Sequence, residues 1–126
     1  MMNLLLDTHV LIWALENSPT LSANARDAIV DGNNMVFVSA ASAWEISIKK
    51  AIGKLEAPDN LLEEIELHRF TPLNMNFDHA RRAGTLPDIH KDPFDRMLIA
   101  QAQIERLILV TRDDSIPRYD VNVLGA

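Results

Sequence analysis

Apolar runs and chain breakers divide the sequence into short alternating segments. Met1 to Leu6 reads as a strand apolar on both faces, ended by Asp7-Thr8-His9, and Val10 to Glu16 as a helix broken by Asn17-Ser18-Pro19. Ser22 to Asp31 predicts a second helix, stopped at Gly32 with Asn33-Asn34 beyond. Met35-Val36-Phe37-Val38 is a β-rich apolar run, and Ser39 is suited to cap a helix running to about Ile52, closed by Gly53. Pro58 to Leu67 is expected to be helical, Arg69 to Leu73 a strand and Asp78 to Ala83 a helix. Asp92 to Glu105 predicts a helix with Pro93 at its first position, where proline is favoured. Leu107 to Val110 is a third apolar strand, and Tyr119 to Leu124, which alternates, a short last one.

Strands apolar on both faces and separated by helices imply βαβ units and a mainly parallel sheet. Right-handed crossovers then cover both faces, which predicts an α/β fold, a three-layer αβα sandwich around a small central sheet. In such folds ligands bind beyond the carboxyl ends of the strands. No repeat, low-complexity tract or linker interrupts the pattern, so residues 1–126 are expected to form a single domain.

Composition adds exclusions. With no cysteine among 126 residues there is no disulfide framework, thiolate nucleophile or Cys-based zinc site. No apolar run approaches the ~20 residues that span a bilayer. The apolar N-terminal run stops at Asp7 without a basic segment before it, so a soluble, cytoplasmic protein is expected. Twelve Lys and Arg against 18 Asp and Glu give a net charge of -6, which argues against a nucleic-acid partner. That objection weakens if carboxylates gather around divalent cations, whose charge reverses the local field.

Where the acids fall therefore decides the matter. Asp7 follows the first strand directly, as a turn or N-cap residue or as a ligand. Asp113 lies just past the third apolar strand, with Thr111 at the same edge and Asp114 an equal turn candidate. Asp92 and Asp95 open the helix that feeds that strand, so they cap it and favour its dipole. Because this helix runs antiparallel to the strand, its N-terminus returns to the same sheet edge. Glu45 borders an apolar stripe of Ala41, Trp44, Ile48 and Ile52, the expected buried face. An i,i+4 pair with Lys49 repays little of the cost of a half-buried acid there. Clustered carboxylates of this kind repel and suit hard cations such as magnesium or manganese.

Other chemistries find less support. His9, His68, His79 and His90 show no zinc-type spacing and read as surface or turn residues. No phosphate-cradling glycine loop or nucleophile elbow is present. The methionines and Phe94 read as core.

Four segments carry a family resemblance: Leu4-Leu5-Leu6-Asp7-Thr8-His9, Ser42-Ala43-Trp44-Glu45-Ile46-Ser47-Ile48-Lys49, His90-Lys91-Asp92-Pro93-Phe94-Asp95-Arg96-Met97-Leu98-Ile99-Ala100-Gln101-Ala102, and Val110-Thr111-Arg112-Asp113. In this order they resemble the PIN-domain ribonucleases, specifically the VapC-type toxins of type II toxin–antitoxin pairs. The resemblance implies a PIN-like fold and a magnesium-dependent endoribonuclease, with Mn2+ able to substitute, in which Asp7, Glu45, Asp95 and Asp113 are the catalytic and metal-binding acids. It further implies cleavage of RNA, tRNA among the candidates, by a metal-activated water that leaves 5′-phosphate and 3′-hydroxyl ends. The implied partners are a VapB-like antitoxin, the RNA substrate and a second copy of the chain, with no membrane. Asp92 and Thr111 are accessory candidates, as are Arg96 and Arg112, which with Lys49, Lys50 and Lys54 lie near enough in sequence to hold flanking phosphates. Ile116 departs from the aromatic residue that many relatives carry.

Two other classes stay open at this level. One is a different magnesium-dependent phosphohydrolase, against which Asp7-Thr8-His9 lacks a second aspartate two residues on. The other is a non-catalytic RNA- or protein-binding module on the same fold.

Overall fold

The computed structural model describes residues 1–126. Five strands form one sheet: β1 (Asn3–Leu6), β2 (Met35–Ser39), β3 (Thr71–Leu73), β4 (Ile108–Thr111) and β5 (Val123–Gly125). Their order is β3-β2-β1-β4-β5 and every pairing is parallel. Six helices connect and cover them: α1 (Thr8–Leu15), α2 (Ala23–Val30), α3 (Ala40–Ala51), α4 (Leu61–Leu67), α5 (Phe77–Thr85) and α6 (Pro93–Glu105). The α/β sandwich expected from the hydrophobic pattern is the observed architecture.

The alternation of β1 makes the two layers. Leu4 and Leu6 point into one core, with Val10, Leu11, Ile46 and Ile65, while Leu5 points into the other, with Leu98, Ile99 and Ile116. Val110 and Leu109 repeat the split one strand over. Each such fully buried aliphatic side chain contributes roughly 1.5–3 kcal/mol. Most of the first turns of α1 is consumed by this packing: Val10, Leu11 and Ile12 are core, and Trp13 and Leu15 are half-buried.

Element ends follow local chemistry. Asp7, Ser22, Ser39 and Asp92 cap α1, α2, α3 and α6 through their side chains, and Gly53 adopts a left-handed φ of 72° just past α3. Tyr119 to Leu124, read as a strand, is strand only from Val123; a 3-10 turn over Ile116–Arg118 precedes it, with Pro117 inside. Tyr119 instead packs into the core and turns its hydroxyl to the Pro87 carbonyl, at 2.9 Å. Both neighbours of β1 follow it in the chain and flank it on opposite sides, so the strand order reverses direction there. A crevice opens at the carboxyl ends of β1 and β4, where ligands of parallel sheets bind.

Candidate functional site

Asp7 ends β1 and begins α1, and both facts show in its contacts. Its Oδ1 accepts from the Val10 amide at 2.9 Å, and its Oδ2 accepts from the Thr111 hydroxyl. The Thr111 oxygen in turn accepts the Asp113 amide at 3.1 Å, and Asp113 Oδ1 accepts from the Ser115 amide at 2.7 Å. One threonine thus ties the acids at the ends of β1 and β4 together. Burial pushes the Asp7 carboxyl above its usual range, partly opposed by the Thr111 and Val10 hydrogen bonds.

Glu45 comes in from α3. It is buried, with 4% of its surface exposed, and Thr8 donates to its Oε1 at 2.6 Å while Lys49 pairs with Oε2. That contact with Glu45 holds the Lys49 ammonium above its ordinary pKa. The buried face of α3 is Ala41, Ser42, Glu45 and Ile46, not the stripe expected from local periodicity. Trp44 is 57% exposed and Ile52 59%, with Ile48 also exposed. Small Ala41 and Ser42 lie on the face that α3 turns to α1 and α6, where the Thr8 hydroxyl meets both Ser42 and Glu45, and the bulky stripe is left outside.

Asp95 and Asp92 arrive with the N-terminus of α6. Asp92 is the N-cap, its Oδ1 accepting from the Phe94 and Asp95 amides at 2.8 and 3.2 Å. That arrangement frees Asp95 to face the crevice. There His90 Nε2 lies 2.8 Å from Asp95 Oδ2 and 3.2 Å from Asp113 Oδ2. The Asp92 amide faces His90 Nδ1 at 3.4 Å, so the proton belongs on Nε2, between the two carboxylates. Asp95 is raised to about 7, first by burial and then by the charge of Asp92, with His90 acting in the opposite sense.

Asp7, Glu45, Asp92, Asp95 and Asp113 therefore line one cavity of about 310 Å³, with His90, Lys49 and Arg112 on its walls. Ligand atoms of His90, Asp95 and Asp113 lie within 4.8 Å of one another. Each oxygen of Asp7 engaged by a hydrogen bond keeps a further lone pair. Oxygen donors held rigidly, beside a carboxyl raised by burial and by the charge of a neighbouring acid, are the donor chemistry of a hard-cation site. The residues present fit a divalent metal.

Several sequence expectations change here. His90 is no surface residue; it joins the acids, and its position just ahead of a helix that returns to the sheet edge was the available signal. His79 is likewise buried, closing a capping box with Asn76 and facing Glu105 at 3.0 Å. Asp114 is exposed and absent from the cavity. Arg96 lies outside it too: its guanidinium donates to the carbonyls of Ala83, Leu86, Pro87 and His90 at 2.8–3.2 Å, which organises the loop carrying His90. Arg112 reaches the cavity, but binds the Thr20 and Ala126 carbonyls and stacks over Trp13 at 4.7 Å. Lys50 pairs with Asp59, and Lys54 also lies off the cavity. Phe94 is half-buried, and Met1, Met35 and Met75 are exposed rather than core. Thr8 and Ser42, which steady Glu45, had no signal in the local pattern.

The PIN domain family model matches residues 4–122. A curated relative, Ribonuclease VapC16 of Mycobacterium tuberculosis, is 36% identical over 73 residues, 55% of this chain and 44% of the relative. The match thus spans less than half the relative's length. Among solved structures, VapBC2 from Rickettsia felis bound to a DNA fragment from its promoter is similar with a TM-score of 0.72 at 16% identity, covering 98% of both chains. DNA-bound VapBC from Salmonella typhimurium is similar with a TM-score of 0.69 at 19% identity, covering 99% of this chain and 98% of that one. A toxin–antitoxin complex from Klebsiella pneumoniae gives 0.66 at 22% identity, covering 95% and 94%. No helix is long and apolar enough to cross a membrane.

Proposed function

The chain belongs to the PIN domain family, and from that premise we propose that it is a magnesium-dependent endoribonuclease, the toxin of a VapBC-type pair. The observation that carries the reading is the meeting of acids from four separate segments at the point where the sheet order reverses. The ribonuclease relative and the toxin–antitoxin complexes of similar fold support the same reading.

In this reading Asp7, Asp95 and Asp113 hold the cation, and Glu45 binds it directly or through water. A bound magnesium or manganese ion would polarise the scissile phosphate and lower the pKa of an attacking water. Thr111 holds the Asp7 and Asp113 headgroups in register, and Thr8 does so for Glu45. The His90 Nε2 proton spans Asp95 and Asp113 and moderates their repulsion. Lys49, on the wall beside Glu45, offers an ammonium to a flanking phosphate. The products are a 5′-phosphate and a 3′-hydroxyl. The RNA class, tRNA first among the candidates, is identified by sequencing the ends made by purified protein.

The test is RNA cleavage by Asp7→Asn and Asp95→Asn with magnesium and after chelation. Both variants are expected to lose activity, as is the chelated protein. Full activity in both variants rejects the reading. Light scattering of the chain with and without a co-expressed small neighbour protein tests the antitoxin and the homodimer.

A further inference from the structure

Beside the carboxylate cavity lies a second one of about 380 Å³, lined by Trp44, Phe94, Pro93, Met75 and Met97, with Lys91 and Arg96 as its only charged residues. Trp44 and Phe94 meet edge to face there, ring centroids 5.2 Å apart. Three pairs of consecutive residues divide between the two cavities: Trp44 and Glu45, Lys91 and Asp92, Phe94 and Asp95. On two segments, α3 and the start of α6, adjacent residues thus face different cavities, so the same stretches of chain wall both.

We propose that this second cavity is a nucleobase subsite, which takes the base of a nucleotide next to the scissile phosphate by stacking on Trp44 and Phe94. The inference rests on the ribonuclease reading and adds a base-recognition site to it. A tryptophan more than half exposed at a cavity rim is costly to leave in water and well suited to a base, because every base has a π-face. Its volume falls within the range of small-ligand pockets, ~300–1,000 Å³. Charge favours a nucleotide as well. The carboxylate cavity would repel a phosphodiester chain unless cations screen it, whereas this one holds no acid and offers an exposed lysine. The Arg96 guanidinium is engaged by four carbonyls and lends the wall rigidity rather than a phosphate contact. A strand with its phosphate at Asp95 leaves the adjoining base within reach of Phe94 and Trp44.

The experiment measures binding, on full-length Asp95→Asn protein so that the RNA is not cut. The probes are fluorescein-labelled single-stranded oligoribonucleotides of each of the four bases and an abasic ribose-phosphate chain of equal length. At least one base-bearing probe is expected to bind about tenfold more tightly than the abasic chain. Trp44→Ala removes that preference and Trp44→Phe keeps it, with circular dichroism verifying the fold of both. An undiminished preference in Trp44→Ala overturns the proposal, as does equal binding of abasic and base-bearing chains. Lost affinity for a co-expressed protein with the base preference intact assigns the cavity to a polypeptide and also overturns it. The ribonuclease reading is judged separately, by cleavage with the unsubstituted chain.

Discussion

The Thr111 hydroxyl donates to the Asp7 carboxylate across 104 positions of sequence. The same oxygen accepts the Asp113 amide, so a single side chain sets the spacing of two acids carried by neighbouring strands. Thr111→Val keeps the shape and removes both bonds. It leaves a buried carboxylate oxygen and an amide short of partners, at a cost of about 1–3 kcal/mol. Thermal unfolding is expected to show that loss, and cleavage to fall at least about tenfold, while Thr111→Ser retains most of both. A valine variant with unchanged stability and activity removes Thr111 from the site's support.

Asp95 gives the stability of the protein an unusual pH dependence. Its pKa is about 7 in the fold against 3.8 in the unfolded chain, so between these values the folded state holds a proton that the unfolded state has lost. Stability without divalent cations therefore falls as pH rises through that window. Asp95→Asn is expected to be more stable than the native chain by about 1–3 kcal/mol at pH 8, and close to it near pH 4. Magnesium narrows the difference at pH 8 by binding only the native carboxylate. Melting curves at the two pH values, with and without magnesium, check the sign.

Arg96 is predicted to matter for shape rather than for phosphate contact. Arg96→Lys retains the charge but cannot reach four carbonyls with one ammonium. A destabilisation of about 1–3 kcal/mol is expected, with faster hydrogen exchange in residues 83–92. Loss of RNA binding at full stability would instead assign it a direct contact.

Gln101 is wholly buried, yet its Oε1 has no partner, and its Nε2 makes only long contacts, 3.4 Å to His79 Nδ1 and 3.5 Å to the Asn74 carbonyl. The Asn76 amide already supplies a donor to that imidazole nitrogen. Gln101→Met keeps the volume and removes an unsatisfied oxygen, so its stability should match the native chain or exceed it by up to about 1 kcal/mol. A loss above about 2 kcal/mol in chemical denaturation would show that the amide is integral to the packing of α5 on α6.

The strands, the caps and the approach of four acids were legible because each is written locally. Short apolar runs, Ser39 and Asp92 before apolar-periodic segments, and acids just past strand ends need no knowledge of distant partners. Glu45 was found for a reason the fold reverses. The stripe of Trp44, Ile48 and Ile52 has the stronger periodicity, but the packing of α3 on α1 and α6 buries the face that carries Ser42, Glu45 and Ile46. His90 is legible only through its place just ahead of the returning helix α6, because its spacing matches no metal motif and one of its two carboxylate partners, Asp113, lies 23 positions away. Tyr119 alternates like a strand residue but is drawn inward by the Pro87 carbonyl and the His90 amide.

Splitting Trp44 from Glu45, Lys91 from Asp92 and Phe94 from Asp95 leaves the molecule free to vary in one respect while staying fixed in another. A substitution at position 44, 91 or 94 reshapes the apolar compartment and spares the neighbouring carboxylates. Descendants of such a protein could inherit the same chemistry unaltered while their tastes diverged, one side chain at a time.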